Sequence, residues 1–228
     1  GDKLELTEMG KGKSIDLSEV VFPGFKGVLC VEAGGPEPAV GCAGRGIKVA
    51  VELLRRLGLY KSGLDVVIYD ALGDVVCGGF GMPLRQGLAD EVFVVTSADY
   101  LAIYAANNIC KGISRHAGRG GSALGGIIYN VRGSLDNLEL VREFASTIGS
   151  NVTGTISSDP LITEAELYGQ TVIEYAENSE AANRFRVLAR SIIESRATVV
   201  PRPLSREDLA SMAQKIREET RKKARATQ

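Results

Sequence analysis

Two of the four cysteines in this chain sit where a metal cluster could be held. Cys42 lies in "GGPEPAVGCAGRGI", residues 34–47, among five glycines and two prolines. Cys77 lies in "DALGDVVCGGFGMPLR", residues 70–85, directly before Gly78 and Gly79. Glycine beside a thiolate removes steric bulk and bares backbone N–H groups. Those donors, together with a helix N-terminus, stabilise an anionic thiolate-bound cluster. An iron–sulfur cube usually takes four thiolates, and this chain offers two in such loops. A two-fold dimer would supply two from each subunit. On residue chemistry alone, structural cysteines or a redox-sensing pair stand ahead of that reading. Cys30 in "KGVLCVEAG" and Cys110 in "YAANNICKGI" read as small core hydrophobes on a strand and a helix.

Other chemistries lack material. No C-x-x-C pair occurs, so a zinc ribbon and a thioredoxin-type motif are excluded. His116 is the single histidine, which leaves no basis for a Ser-His-Asp triad or a histidine-rich metal site. Asp70 closes the apolar run "LDVVIYD" and leads into Gly73 and Asp74. An aspartate at a strand tip followed by D-x-x-G suits a switch that senses a γ-phosphate and Mg²⁺.

The elements that must position these residues alternate between strand and helix. Strands are expected over 28–35, 64–70, 91–99, 123–131 and 151–157. Helices are expected over 47–60, 100–113 and 135–149, in a short stretch after Pro160, over 179–195, and from Ser205 onward. A "TVIEYA" segment lies between the short stretch after Pro160 and the helix over 179–195. The run 64–70 is apolar and β-branched throughout, which is how a strand buried on both faces of a parallel sheet reads. The alternation implies a three-layer α/β domain over 1–228 with a mainly parallel sheet. Residues 205–228 form a closing helix with a solvated basic tail. Ligands in such folds gather at the carboxyl ends of the strands.

Composition narrows the partners. With 27 basic and 28 acidic side chains, nothing draws the whole chain to nucleic acid or to anionic membranes. No apolar run reaches the roughly 20 residues of a membrane span. The opening "GDKLELTEMG" has no signal-peptide core. A soluble, cytoplasmic protein with reduced thiols is the expectation.

Together, "CVEAGGPEPAVGCAGRGI", "YDALGDVVCGGFGMPLR" and "YAANNICKGI" resemble the nitrogenase iron proteins (dinitrogenase reductases) and related nitrogenase-like reductases, from about Leu17 to Pro203. The resemblance implies a P-loop NTPase-type fold. It implies a homodimer in which Cys42 and Cys77 of both subunits hold one [4Fe–4S] cluster. Asp70 and Asp74 would link that cluster to MgATP, while Asn130, Asp159 and Glu166 would contact the adenosine half. Ser158 stands where the nitrogenase type has arginine. Arg45, Phe80 and Arg85 would dock a partner, and Arg45 matches an arginine that is ADP-ribosylated in some relatives. The implied activity is ATP-dependent electron donation to a nitrogenase or nitrogenase-like catalytic component. Ferredoxin or flavodoxin would be the electron source. An ATPase-dead paralogue acting as a binding module is the alternative, as is the reductase of a tetrapyrrole- or sulfur-compound-reducing system. Gly81 stands where the nitrogenase type commonly has alanine, which leaves the subfamily open.

The same resemblance implies an opening strand, a G-x-x-x-x-G-K-[ST] loop and a helix. "MGKGKS", residues 9–14, fails the spacing, because Thr7 stands where the first glycine belongs. The expectation is a chain lacking the natural N-terminal part, or else a homologue without ATPase activity. Loss of a central strand would leave apolar faces of its neighbours exposed.

Overall fold

The computed structural model describes residues 15–33, 43–71, 73, 84, 88–117, 120–133, 137–195 and 197–226. The expected positions Cys42, Asp74, Cys77, Phe80 and Arg85 lie outside them. Contacts divide the chain into two compact units, Gly1–Pro83 and Leu84–Gln228.

In the first unit, a one-turn helix α1 (Leu17–Val20) opens at Asp16, whose N–H donates to Glu19 Oε1 at 2.8 Å. Two short strands follow, β1 (Phe22–Pro23) and β2 (Leu29–Cys30), paired antiparallel. Helix α2 (Ala43–Arg56) begins at the residue next to Cys42, four positions earlier than the periodicity suggested. Arg45 falls in its first turn. Leu54 of α2 packs with Val20 and Leu59, and Leu64 joins from the edge of the cluster.

Three expectations fail in this unit. Of the strand expected over 28–35, the described residues form only Leu29–Cys30, which pairs with β1 instead of joining a parallel sheet. The reason is local: Gly24 N–H donates to Val28 O at 2.7 Å, and that turn captures the ladder. Cys30 is accordingly exposed and is no core hydrophobe. Residues 64–70 form no strand, and Ile68 is 84% exposed, with Val66 and Val67 also open to solvent. Their apolar pattern states a demand for cover on both faces, but a strand also needs a ladder partner. Among the described residues this stretch has none. It is tethered through Tyr69, whose hydroxyl donates to the Tyr60 hydroxyl at 3.2 Å. Burial, helped by that bond, raises the Tyr69 pKa above the ordinary tyrosine value.

The second unit matches its pattern closely. Strands β3 (Glu91–Thr96), β4 (Ala123–Asn130) and β5 (Val152–Ile156) form a parallel sheet in that order. Helices α3 (Tyr100–Ala117) and α4 (Leu138–Thr147) connect them. Ile103, Ala106, Cys110 and Ile113 recur along one face of α3 and are fully or nearly fully buried. They share a core with Val94, Ile127 and Tyr129 of the sheet and with Val141 and Phe144 of α4.

Beyond β5 come α5 (Pro160–Leu167), α6 (Val172–Tyr175), α7 (Glu180–Glu194) and α8 (Arg206–Ala226). Side-chain caps start them where the sequence changes to helix: Asp159, Thr171 and Ser179 each accept a first-turn N–H. The anticipated box at α8 is present, since Asp208 N–H donates to Ser205 Oγ and Ser205 N–H to Asp208 Oδ2. The stretch expected to be a loose tail is helical through Ala226. Leu209, Met212 and Ile216 of α8 close the main core. The connector before α8 is fastened by the fully buried Asn107, which donates to Leu204 O at 3.1 Å and accepts from Leu204 N–H at 2.8 Å.

Candidate functional site

The carboxyl ends of β3, β4 and β5 lie side by side, so the residues just past them share one edge of the sheet. Asn130 is the last residue of β4, exposed, and in register with Ile156 at the end of β5. Asp159 follows three residues after Ile156 and caps α5 by accepting from Leu161 N–H at 3.1 Å. The structure therefore brings two of the expected nucleotide-contacting residues to one edge. Glu166 is exposed in the last turn of α5, about 10 Å from Asp159 by helical rise. Asp70 belongs to the first unit and ends the exposed, unpaired stretch.

Three charged groups on this edge escaped the sequence reading. Asp99 stands between β3 and α3, accepting from Ser97 Oγ at 2.5 Å and from Ala102 N–H at 2.9 Å. Burial works against its ionisation. The Ser97 and backbone hydrogen bonds and the field of Arg132, just past β4, outweigh it and hold the carboxyl below the usual aspartate range. Arg184, from α7, reaches Asp159 Oδ2 at 3.4 Å. Asp99 was findable as an N-cap in "TSADY", directly before a helical run. Arg184 carried no local signal.

The folded pKa of Asp99 sits below its unfolded value. Its contribution to stability is therefore present above about pH 4 and is lost as pH falls through the folded pKa. Ser97→Ala is expected to raise that pKa and to narrow the stability gain between pH 3 and pH 7. A carboxylate NMR titration with urea midpoints at both pH values checks this. An unchanged Asp99 titration would remove Ser97 as the cause.

The described cysteines differ in what they can bind. Cys110 is fully buried among apolar side chains, and burial pushes its thiol up to about 12. Cys30 is exposed, with Sγ 3.8 Å from Val28 O. Among the described residues, no group of three or more His, Cys, Asp or Glu side chains could hold a metal ion.

Residues 4–219 match the family of 4Fe-4S iron sulfur cluster binding proteins, NifH/frxC. The chain belongs to that family. Nitrogenase iron protein 2 of Methanothermococcus thermolithotrophicus is 50% identical over 222 residues, which is 97% of this chain and 76% of that protein. The nitrogenase iron protein of Methanococcus voltae is 55% identical over 91% of this chain and 75% of its own length. The crystal structure of the Pyrococcus furiosus cell division ATPase MinD overlays 46% of this chain and 43% of its own, at 22% identity and a TM-score of 0.38. That match is too loose to bear on the site. A [4Fe–4S] cluster and, in the intact protein, MgATP are the cofactors of the NifH/frxC family. The donor chemistry fits such a cluster: Cys42 and Cys77, the thiols set among glycines in the sequence, are of the ligand type it takes. No helix among the described residues is long and apolar enough to cross a membrane.

Proposed function

We propose that this chain is the electron-donating component of a nitrogenase or nitrogenase-like system, working in the cytoplasm as a homodimer. The observation that carries the reading is the family match from residue 4 to 219, which spans both cysteine loops and the carboxyl edge of the sheet. Cys42 and Cys77 of each subunit would together hold one [4Fe–4S] cluster. When bound, the cluster supplies one-electron chemistry at low potential. Asp70 and Asp74 lie within seven residues of Cys77 in sequence, so a shift of this loop driven by the γ-phosphate would reach the thiolate directly. Asn130, Asp159 and Glu166 would contact the adenosine half of the nucleotide. ATP must favour one dimer geometry over another by several kcal/mol to populate it, which makes the cycle a switch. Ferredoxin or flavodoxin would be the electron source. Anaerobic purification tests the reading: about four irons per dimer is expected, and a colourless, iron-free protein would refute it.

Docking follows from charge. Arg45, Phe80 and Arg85 flank the two cysteines in sequence and would face the catalytic partner. Arg45→Glu should leave iron content unchanged and slow electron delivery roughly tenfold or more, because it reverses charge at an interface. Stopped-flow transfer to the partner at low salt checks this, and an unaltered rate would count against a docking role.

A further inference from the structure

We infer that Arg184 is a positioning residue for the nucleotide-facing corner of the sheet, holding the Asp159 carboxylate from another helix. The inference rests on the nucleotide reading proposed above. The two residues are 25 positions apart, and Arg184 lies in the first turns of α7 while Asp159 heads α5. Arg184 Nη1 lies 3.4 Å from Asp159 Oδ2, and its Nη2 lies 2.8 Å from Glu180 Oε1. The arms differ in environment. Glu180 is 79% exposed, whereas the Arg184 and Asp159 side chains are 30% and 20% exposed, so the shielded contact is the one to Asp159. The other Asp159 oxygen accepts from Leu161 N–H at 3.1 Å. Both oxygens are thus held from different elements, which fixes the rotamer, and each keeps a further acceptor site for a ligand. Ser158 beside it is exposed and carries no charge. A guanidinium reaches this carboxylate from α7.

Packing does not require this contact. Ala165, Val172 and Ala181, with Phe185, already join α5, α6 and α7 through apolar surface. Removing Arg184 should therefore loosen the carboxylate more than the fold.

Calorimetric titration of the dimer with MgATP tests this on wild type, Arg184→Met, Arg184→Lys, Asp159→Asn and the Asp159→Asn/Arg184→Met pair. Arg184→Met should weaken binding about fivefold, since it removes a charge-assisted contact. Arg184→Lys should recover most of that loss. The double variant should be no weaker than Asp159→Asn alone, because the arginine acts through the aspartate. A lowered Tm with unchanged affinity would make Arg184 structural only and overturn the inference. Additive losses in the double variant would overturn it too. Absence of binding by the wild-type protein would overturn the nucleotide reading itself, and this inference with it.

Discussion

Cys42→Ala and Cys77→Ala should each abolish iron binding, whereas Cys30→Ala and Cys110→Ala should leave iron content at the wild-type level. The four substitutions separate ligand from filler because the thiols occupy different settings. A cluster ligand must be a thiolate, and glycine neighbours with bare N–H groups are what lower the cost of that charge. Cys110 has the opposite environment, at the centre of the α3 face against the sheet, where burial raises its thiol to about 12. Its replacement should cost about 1 kcal/mol through the small void left behind and leave the iron alone. Cys30 is exposed on a two-residue strand, so Cys30→Ala should change neither property. If the cluster bridges two subunits, losing one cysteine type removes two of its four ligands, and dimer cohesion should fall with the iron. Iron analysis beside sedimentation velocity measures both. Full iron in Cys42→Ala would remove the central proposal. Iron lost in Cys110→Ala without unfolding would show that the core contributes a ligand.

The second unit was legible in the sequence because its information is local. Residues 91–96, 123–130 and 152–156 are apolar runs, each separated by one amphipathic helix, and each strand finds its ladder partner in the next. The stretch 64–70 was equally apolar but misread. Its composition reports what it would bury, not which neighbour would accept its hydrogen bonds. Cys30 failed with it, since a strand of two exposed residues buries nothing. At the site, Asn130 and Asp159 were named through the family resemblance, and both stand at the carboxyl edge of the sheet, where such folds gather ligands. Asp99 was missed although a capping aspartate before a helix is a readable signal. Arg184 had no such signal, because its meeting with Asp159 depends on how α7 lies along β5 and α5.

Gly126→Ala should be the most damaging single change in the second unit, costing about 3 kcal/mol or more. Gly126 sits in β4 at a φ of 157°, a conformation that residues with side chains rarely adopt. A Cβ there would also overlap the hydroxyl of Thr153 on β5 and crowd its Cβ at 3.2 Å. That hydroxyl is buried, with no hydrogen-bond partner among the described residues. The strands would have to separate or slip where the ladder is already irregular, between Ile127 and Ile128. A slip of one residue inverts the faces of β5 and carries Asp159 away from Asn130. Stability and the nucleotide corner should therefore fail together. Thr153→Ala supplies the control, because it removes both the obstacle and an unsatisfied polar atom. Alone it should be neutral or slightly stabilising. Combined with Gly126→Ala it should restore part of the lost stability, but not all, since the backbone strain at 126 remains. Urea midpoints for the two single variants and the double close the cycle. Strictly additive changes would show that Thr153 is not what excludes a side chain at position 126.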